Sequence, residues 1–110
     1  MPPAIVTETF FAVLVTDMTR ATAFYVAALG ARVMFGTPGW TSLEIANVRV
    51  GLAPGTPGPN GLHFAVSDLA AASAAIERAG GRAGKPVEVA PGVVIAEATD
   101  SEGNTFTLRA

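Results

Sequence analysis

Apolar residues along this chain alternate, then switch to a helical spacing, then alternate again, and the whole series happens twice. Residues 9–16 put Phe11, Val13 and Val15 on one side of an extended chain and Phe10, Ala12 and Leu14 on the other, which predicts a strand covered on both faces. Thr16, Asp17 and Thr19 offer acceptors to the free amides of a helix start. Ala21, Phe24, Tyr25, Ala28 and Leu29 then recur at the spacing of one helix face, until Gly30 stops the helix. Residues 31–35, 40–46 and 48–53 read as three more strands, turned at residues 36–39 and around Asn47.

The second series starts at residue 61. A strand over 61–66 precedes a helix over 69–79 with Leu69, Ala72 and Ile76 as its buried stripe and Gly80 and Gly81 as its stop. A strand within 82–90, interrupted near Pro86, and strands over 93–99 and 104–109 complete it. The separation of Asp17 from Asp68 is also that of Val15 from Val66, Met18 from Leu69 and Gly30 from Gly81, so strand, helix start and helix stop recur together. The expectation is an α+β fold of two tandem βαβββ modules in one domain over 1–110. Module 1 spans about 1–53, the proline- and glycine-rich residues 54–60 form a linker that cannot continue a sheet, and module 2 spans about 61–110.

Composition narrows the partners. Half of the residues are apolar and 15% are charged, which excludes a disordered chain, while 110 residues bury a limited core. Pairing with a second copy would help, so a homodimer is expected. A net charge of −2 without a basic stripe argues against nucleic acid. The absence of cysteine removes disulfides, thiolate nucleophiles and thiolate metal sites. No apolar run reaches the ~18 residues of a membrane span and no signal peptide is evident, so no membrane partner and a cytoplasmic location are expected.

Val15-Thr16-Asp17-Met18 with Phe24-Tyr25 and Leu29-Gly30, then Val66-Ser67-Asp68-Leu69 with Gly80-Gly81, and Asp100-Ser101-Glu102-Gly103-Asn104 before the last strand, give the chain a family likeness. It resembles the vicinal oxygen chelate superfamily, the fold of glyoxalases, bleomycin-resistance proteins and extradiol dioxygenases. The resemblance implies curved strands around a cleft, usually in a homodimer, and in the family's enzymes a metal held by His or Glu from the first and fourth strands of each module. Here those positions fall on Phe10, Gly51, Gly61 and Thr107. Neither Phe nor Gly has a side-chain donor, so no metal site and no cofactor are expected.

His63, the only histidine, lies two residues from Gly61 and so on the same strand face. It reads either as a hydrogen-bond donor or general base for a bound molecule, or as a solvated cleft residue without chemistry. Alternation sends Val48, Val50, Leu52, Phe106 and Leu108 toward the helices, and Arg49, Gly51, Ala53, Thr105, Thr107 and Arg109 toward the cleft. Arg49 and Arg109 can hold a carboxylate, phosphate or sulfate there, or simply reach solvent or pair with a surface Glu. Trp40 shares a face with Ser42 and Glu44 and can stack on a planar ligand or serve as core. Asp100 to Gly103 lacks the later ligands of a calcium loop and reads as a turn, and Ser67 beside Asp68 reads as a helix cap.

Three functions are compatible with this pattern. The first is a metal-free binding protein of the bleomycin-resistance kind, sequestering a hydrophobic or aromatic small molecule such as an antibiotic. Its expected cleft is lined by Phe10, Ala12, Leu14, Trp40, Arg49, Gly51, Gly61, His63, Thr107 and Arg109. The second is a lyase, isomerase or dioxygenase with an atypical or absent metal, or a metal-free lyase or cyclase using His63 with Glu44 or Glu97. The third is a regulatory module with a vestigial cleft.

Overall fold

The computed structural model describes residues 5–110. Among them run β1 (Phe11–Val15), α1 (Met18–Leu29), β2 (Arg32–Thr37), β3 (Trp40–Ile45), β4 (Val48–Pro54), β5 (His63–Ala65), α2 (Leu69–Arg78), β6 (Arg82–Ala83), β7 (Val87–Ala90), β8 (Val93–Thr99) and β9 (Thr105–Arg109). The repeat is realised as two sheets, ordered β1-β4-β3-β2 and β5-β9-β8-β6, with β7 also pairing β8. In each, the first strand lies parallel to the last, β1 on β4 and β5 on β9, and the other pairings are antiparallel. The strand interrupted near Pro86 is thus β6 and β7, two short pieces on one neighbour.

Both helices begin alike. Asp17 and Asp68 adopt extended backbone and accept from Arg20 N and Ala71 N, each at 3.0 Å, which satisfies amides that the first turn leaves free. Gly30, at φ 67°, closes α1 in the left-handed region. Apolar faces then meet: Val13, Val15, Leu43, Val50 and Leu52 of the first sheet, Ala21, Phe24 and Tyr25 of α1, Ile76 of α2, and Ala98, Phe106 and Leu108 of the second sheet form one continuous core. Gly81 is needed where α2 turns back to β6, because a Cβ there would lie 2.2 Å from the Thr99 carbonyl oxygen.

Two features depart from the sequence expectation. The first strand is not covered on both faces: Val13 and Val15 are 1% exposed, but Phe10 and Leu14 on the other side are 45% and 42% exposed, and Phe11, on the side of Val13, is 48% exposed at the end of the strand. Helices back only one side of each sheet, so on the other side of the first sheet Phe10 and Leu14 stay open. Val48 keeps the side of Val50 and Leu52, opposite Ile45, but lies 44% exposed at the β3–β4 turn, where Ala46 and Asn47 both take positive φ.

The turn Asp100 to Gly103 does more than reverse the chain. Asp100 accepts from Tyr25 Oη at 2.6 Å and from Asn104 Nδ2 at 2.9 Å, and Asn104 Nδ2 also donates to the Leu14 carbonyl at 2.9 Å. One Glu102 oxygen accepts from Thr16 N, Thr16 Oγ1 and Asp17 N, and the other pairs with Arg20 Nε at 2.6 Å. The turn of module 2 is therefore a clasp on the β1–α1 corner of module 1. Thr16, expected as a helix cap, serves this clasp instead.

Candidate ligand-binding site

Strand pairing sorts the candidate residues into rows, because partners across a ladder share a face. On the face of the first sheet turned away from the helices, Ala12 pairs with Gly51 and Gly51 with Ser42, while Leu14 pairs with Ala53. Trp40 lies across this surface, its indole above Gly51: a Cβ at Gly51 would come within 1.9 Å of the Trp40 ring. Glycine here is the residue that lets the indole pack directly against the backbone. Phe10 meets Trp40 edge to face, with ring centroids 5.9 Å apart, so Phe10, Trp40 and Gly51 make one aromatic surface with Ala12 and Leu14 beside it.

The charged residues of this face are already partnered. Arg49 pairs with Glu8 at 3.1 Å and Arg32 with Glu44 at 2.8 Å. Arg49 thus sits where alternation predicts, paired with a surface carboxylate of the same chain.

The second sheet presents the equivalent face differently. His63 pairs with Thr107 and Thr107 with Glu97, so imidazole, hydroxyl and carboxylate form one row. In the next row Ala65 pairs with Arg109 and Arg109 with Ile95. No carboxylate of the described residues comes within ion-pairing distance of Arg109. The predicted site residues are therefore brought together in two groups on two sheets: Phe10, Ala12, Leu14, Trp40, Arg49 and Gly51 on the first, His63, Thr107 and Arg109 on the second.

Gly61 sits at the entrance to β5 with φ 75°, beside Asn60, whose Oδ1 accepts from Leu62 N at 2.9 Å. Gly61 and His63 also line a cavity of about 440 Å³ at the seam of the modules, walled by Phe11, Ile45, Val48, Leu62 and Phe64. Sequence reasoning missed this cavity, since it depends on how the β3–β4 turn meets β5. A roomier but shallower hollow of about 670 Å³ lies between α1 and the β2–β3 turn, lined by Met18, Thr19, Thr22, Thr37 and Thr41, and none of the predicted site residues reaches it. The seam cavity is better placed for chemistry because it holds the histidine.

Among the described residues, no three His, Cys, Asp or Glu side chains converge as a metal site would require. The positions that the family resemblance gives to metal ligands, Phe10, Gly51, Gly61 and Thr107, supply one hydroxyl and no imidazole or carboxylate, so they do not fit a divalent ion. Among the described residues no helix is long and apolar enough to cross a membrane.

Two βαβββ modules, each a helix-backed sheet with its first strand parallel to its last, define the glyoxalase/bleomycin-resistance fold. The chain belongs to the glyoxalase-like domain family, whose pattern matches residues 9–109. Solved structures agree in fold. The fosfomycin resistance protein FosX from Listeria monocytogenes superposes with a TM-score of 0.81 at 17% identity, over 97% of this chain and 94% of that one. A glyoxalase/bleomycin resistance protein/dioxygenase family enzyme from Burkholderia phytofirmans gives 0.76 at 18% identity, over 91% of this chain and 94% of that one. A glyoxalase/bleomycin resistance protein from a Streptomyces species gives 0.68 at 24% identity, over 92% of this chain and 97% of that one. Comparison with curated proteins finds no match. Likenesses at these identities establish architecture, and the chemistry has to be argued from the residues of this chain.

Proposed function

We propose that this protein binds an aromatic or otherwise planar small molecule against its open sheet faces without a divalent metal, and sequesters it rather than transforming it. The observation that carries this reading is the surface of Phe10, Trp40 and Gly51, because two of the positions at which a metal ligand would be expected are given over to an aromatic platform. Structural neighbours support a small-molecule ligand: the Listeria protein is a fosfomycin resistance protein, and one of its structures is complexed with Mn(II) and sulfate. Such an ion takes several imidazole or carboxylate donors, and this chain has none at Phe10, Gly51, Gly61 or Thr107. A homodimer belongs to the same reading, since a second copy would cover the apolar side chains that one chain leaves open and enclose the ligand.

The test is metal analysis of the dialysed protein combined with a thermal-shift screen of antibiotics and aromatic metabolites. The expected result is substoichiometric metal and stabilisation by planar aromatic compounds. A retained equivalent of zinc, nickel, iron or manganese bound on the sheet face would overturn it.

The second reading, a metal-free enzyme, is favoured by one observation, the alignment of His63, Thr107 and Glu97 in a single row. Turnover of a screened compound that is lost in His63→Gln would establish it in place of sequestration.

A further inference from the structure

The repeat is broken at one place, and a cavity stands there. In module 2 the turn before the last strand, residues 100–104, reaches over the β1–α1 corner and buries Asp100 and Asn104. In module 1 the equivalent turn is Ala46 and Asn47 alone, both at positive φ. It leaves Phe11 and Val48 half-exposed, while Leu62, the counterpart of Phe11 in the repeat, is buried. Beside that short turn lies the seam cavity of about 440 Å³, to which Phe11, Ile45, Val48, Leu62 and Phe64 give apolar walls from both modules. Gly61, His63 and Ala65 line it too, so all of residues 61–65 meet it. Side chains alternate between the faces of a strand, and a cavity that meets every residue in turn runs along the strand's edge. Among the described residues that edge is free, since β5 pairs with β9 alone.

The backbone of this edge supplies the polar part. The Leu62 carbonyl accepts from Thr107 N at 3.0 Å and Val66 N donates to the Arg109 carbonyl at 2.8 Å, so these residues turn their backbone groups toward β9. Backbone groups of an extended chain point alternately to its two sides, and the N–H and C=O of His63 and Ala65 therefore point the other way, along the cavity. The His63 carbonyl and the Ala65 N–H flank Phe64 there, an acceptor beside a donor. From this arrangement we infer that the seam cavity is a second ligand site, and that it takes a neutral lactam or cis-amide. The ligand N–H donates to the His63 carbonyl, and the ligand carbonyl accepts from Ala65 N–H, as a neighbouring strand would do. Its hydrocarbon part meets Phe11, Val48 and Leu62, and the volume is within the range of small-molecule pockets. A charged ligand is disfavoured, because apolar walls and neutral peptide groups do not offset its loss of hydration. The site is separate from the aromatic surface: none of Phe10, Trp40 and Gly51 lines the cavity.

The test is an amide NMR titration of the intact protein with caprolactam, whose ring holds an adjacent N–H and C=O, and with N-methylcaprolactam, which lacks the N–H. Both rings are saturated and have no π face to stack on Trp40. Caprolactam should move the amide signals of residues 61–65 and of Ala46 and Val48, with Ala65 shifted downfield by its new hydrogen bond, and leave the Trp40 indole signal in place. The methyl compound should bind about tenfold more weakly, the size expected of one hydrogen bond left unmade in an apolar site. Val48→Trp fills the cavity from a position that is already half-exposed, and should weaken caprolactam by about tenfold or more. Ala65→Pro removes one outward N–H from an edge strand, a place that tolerates proline, and should weaken caprolactam by about tenfold too. Equal affinities of the two compounds for the parent protein, a response confined to Trp40 and its neighbours, or no response at all would overturn the inference without recourse to any variant. Movement of the same signals on dilution of the ligand-free protein, with none on addition of caprolactam, would give the seam to a second copy and overturn it as well.

Discussion

Glu102 is a single carboxylate that receives four donors from the corner of another module, and its ionisation is tied to the fold. Burial pushes its pKa up, but the hydrogen bonds from Arg20, Asp17 and Thr16 outweigh burial and hold it at about 2, below the usual 4.5. Because the folded value lies below the unfolded one, the stabilisation is fully present above the unfolded value and is lost as the pH falls toward the folded value. Urea unfolding at a series of pH values should therefore show stability falling from pH 4.5 toward pH 2, and Glu102→Gln should flatten that fall while lowering stability at neutral pH. An unchanged slope would show that other carboxylates govern the acid limb. The Tyr25 phenol is pushed up, by burial first and by the Asp100 charge second, so it stays protonated and donates to Asp100 at 2.6 Å. Tyr25→Phe leaves that carboxylate one donor short, and thermal or chemical unfolding should register a loss of about 1–3 kcal/mol.

At the scale of elements, two glycines distinguish a contact that can give way from one that cannot. Gly81 holds the exit of α2 against β8, and a Cβ there meets a backbone carbonyl, Phe24 and Ile76 within 2.9 Å. Gly51 is crowded only by the Trp40 indole, whose side chain can swing out into solvent. Gly81→Ala should therefore cost more stability than Gly51→Ala, with Gly81→Ala at about 1–3 kcal/mol or above. Gly51→Ala should shift the Trp40 emission to the red as the ring leaves its surface, and an unaltered spectrum would contradict the placement of the indole. The caps belong to this scale too: Asp68→Ala should destabilise by about 1 kcal/mol, read by urea unfolding at neutral pH, since Ala71 N loses its acceptor at the start of α2.

The described chain as a whole is flat. It measures 42 × 40 × 22 Å, so its thickness is that of one sheet backed by one layer of helices. Its radius of gyration, 14.7 Å, exceeds the ~13 Å of a compact chain of this length. Phe10, Leu14, Phe35, Val87 and Val89, between 42% and 56% exposed, are left uncovered. So much open apolar surface is characteristic of a protein that meets a partner, and light scattering at tens of micromolar is expected to give twice the chain mass. A monomer at that concentration would dispose of the dimer and of any site closed by it.

The βαβββ repeat, both helix caps, the Gly30 stop and the inward and outward sides of β4 and β9 were legible in the sequence, because each depends on local spacing and on residues whose chemistry acts within a turn or a strand pair. Strand ends were less legible: residues 9–16 shorten to Phe11–Val15 and residues 61–66 to His63–Ala65, since pairing partners rather than apolar character set where a ladder stops. The family resemblance was also legible and is borne out by the match over residues 9–109. Four things waited for the tertiary structure: the clasp of Glu102, Asp100 and Asn104 on module 1, the indole lying on Gly51, the pairing of Arg49 with Glu8, and the cavity between the β3–β4 turn and β5. The clasp and the cavity join residues remote in sequence, and the clasp, the indole and the ion pair turn on where a side chain ends rather than where it starts. The alternating pattern states which side of a strand a residue takes. What it meets there is decided by how the two modules and the arm before β1 come together in space.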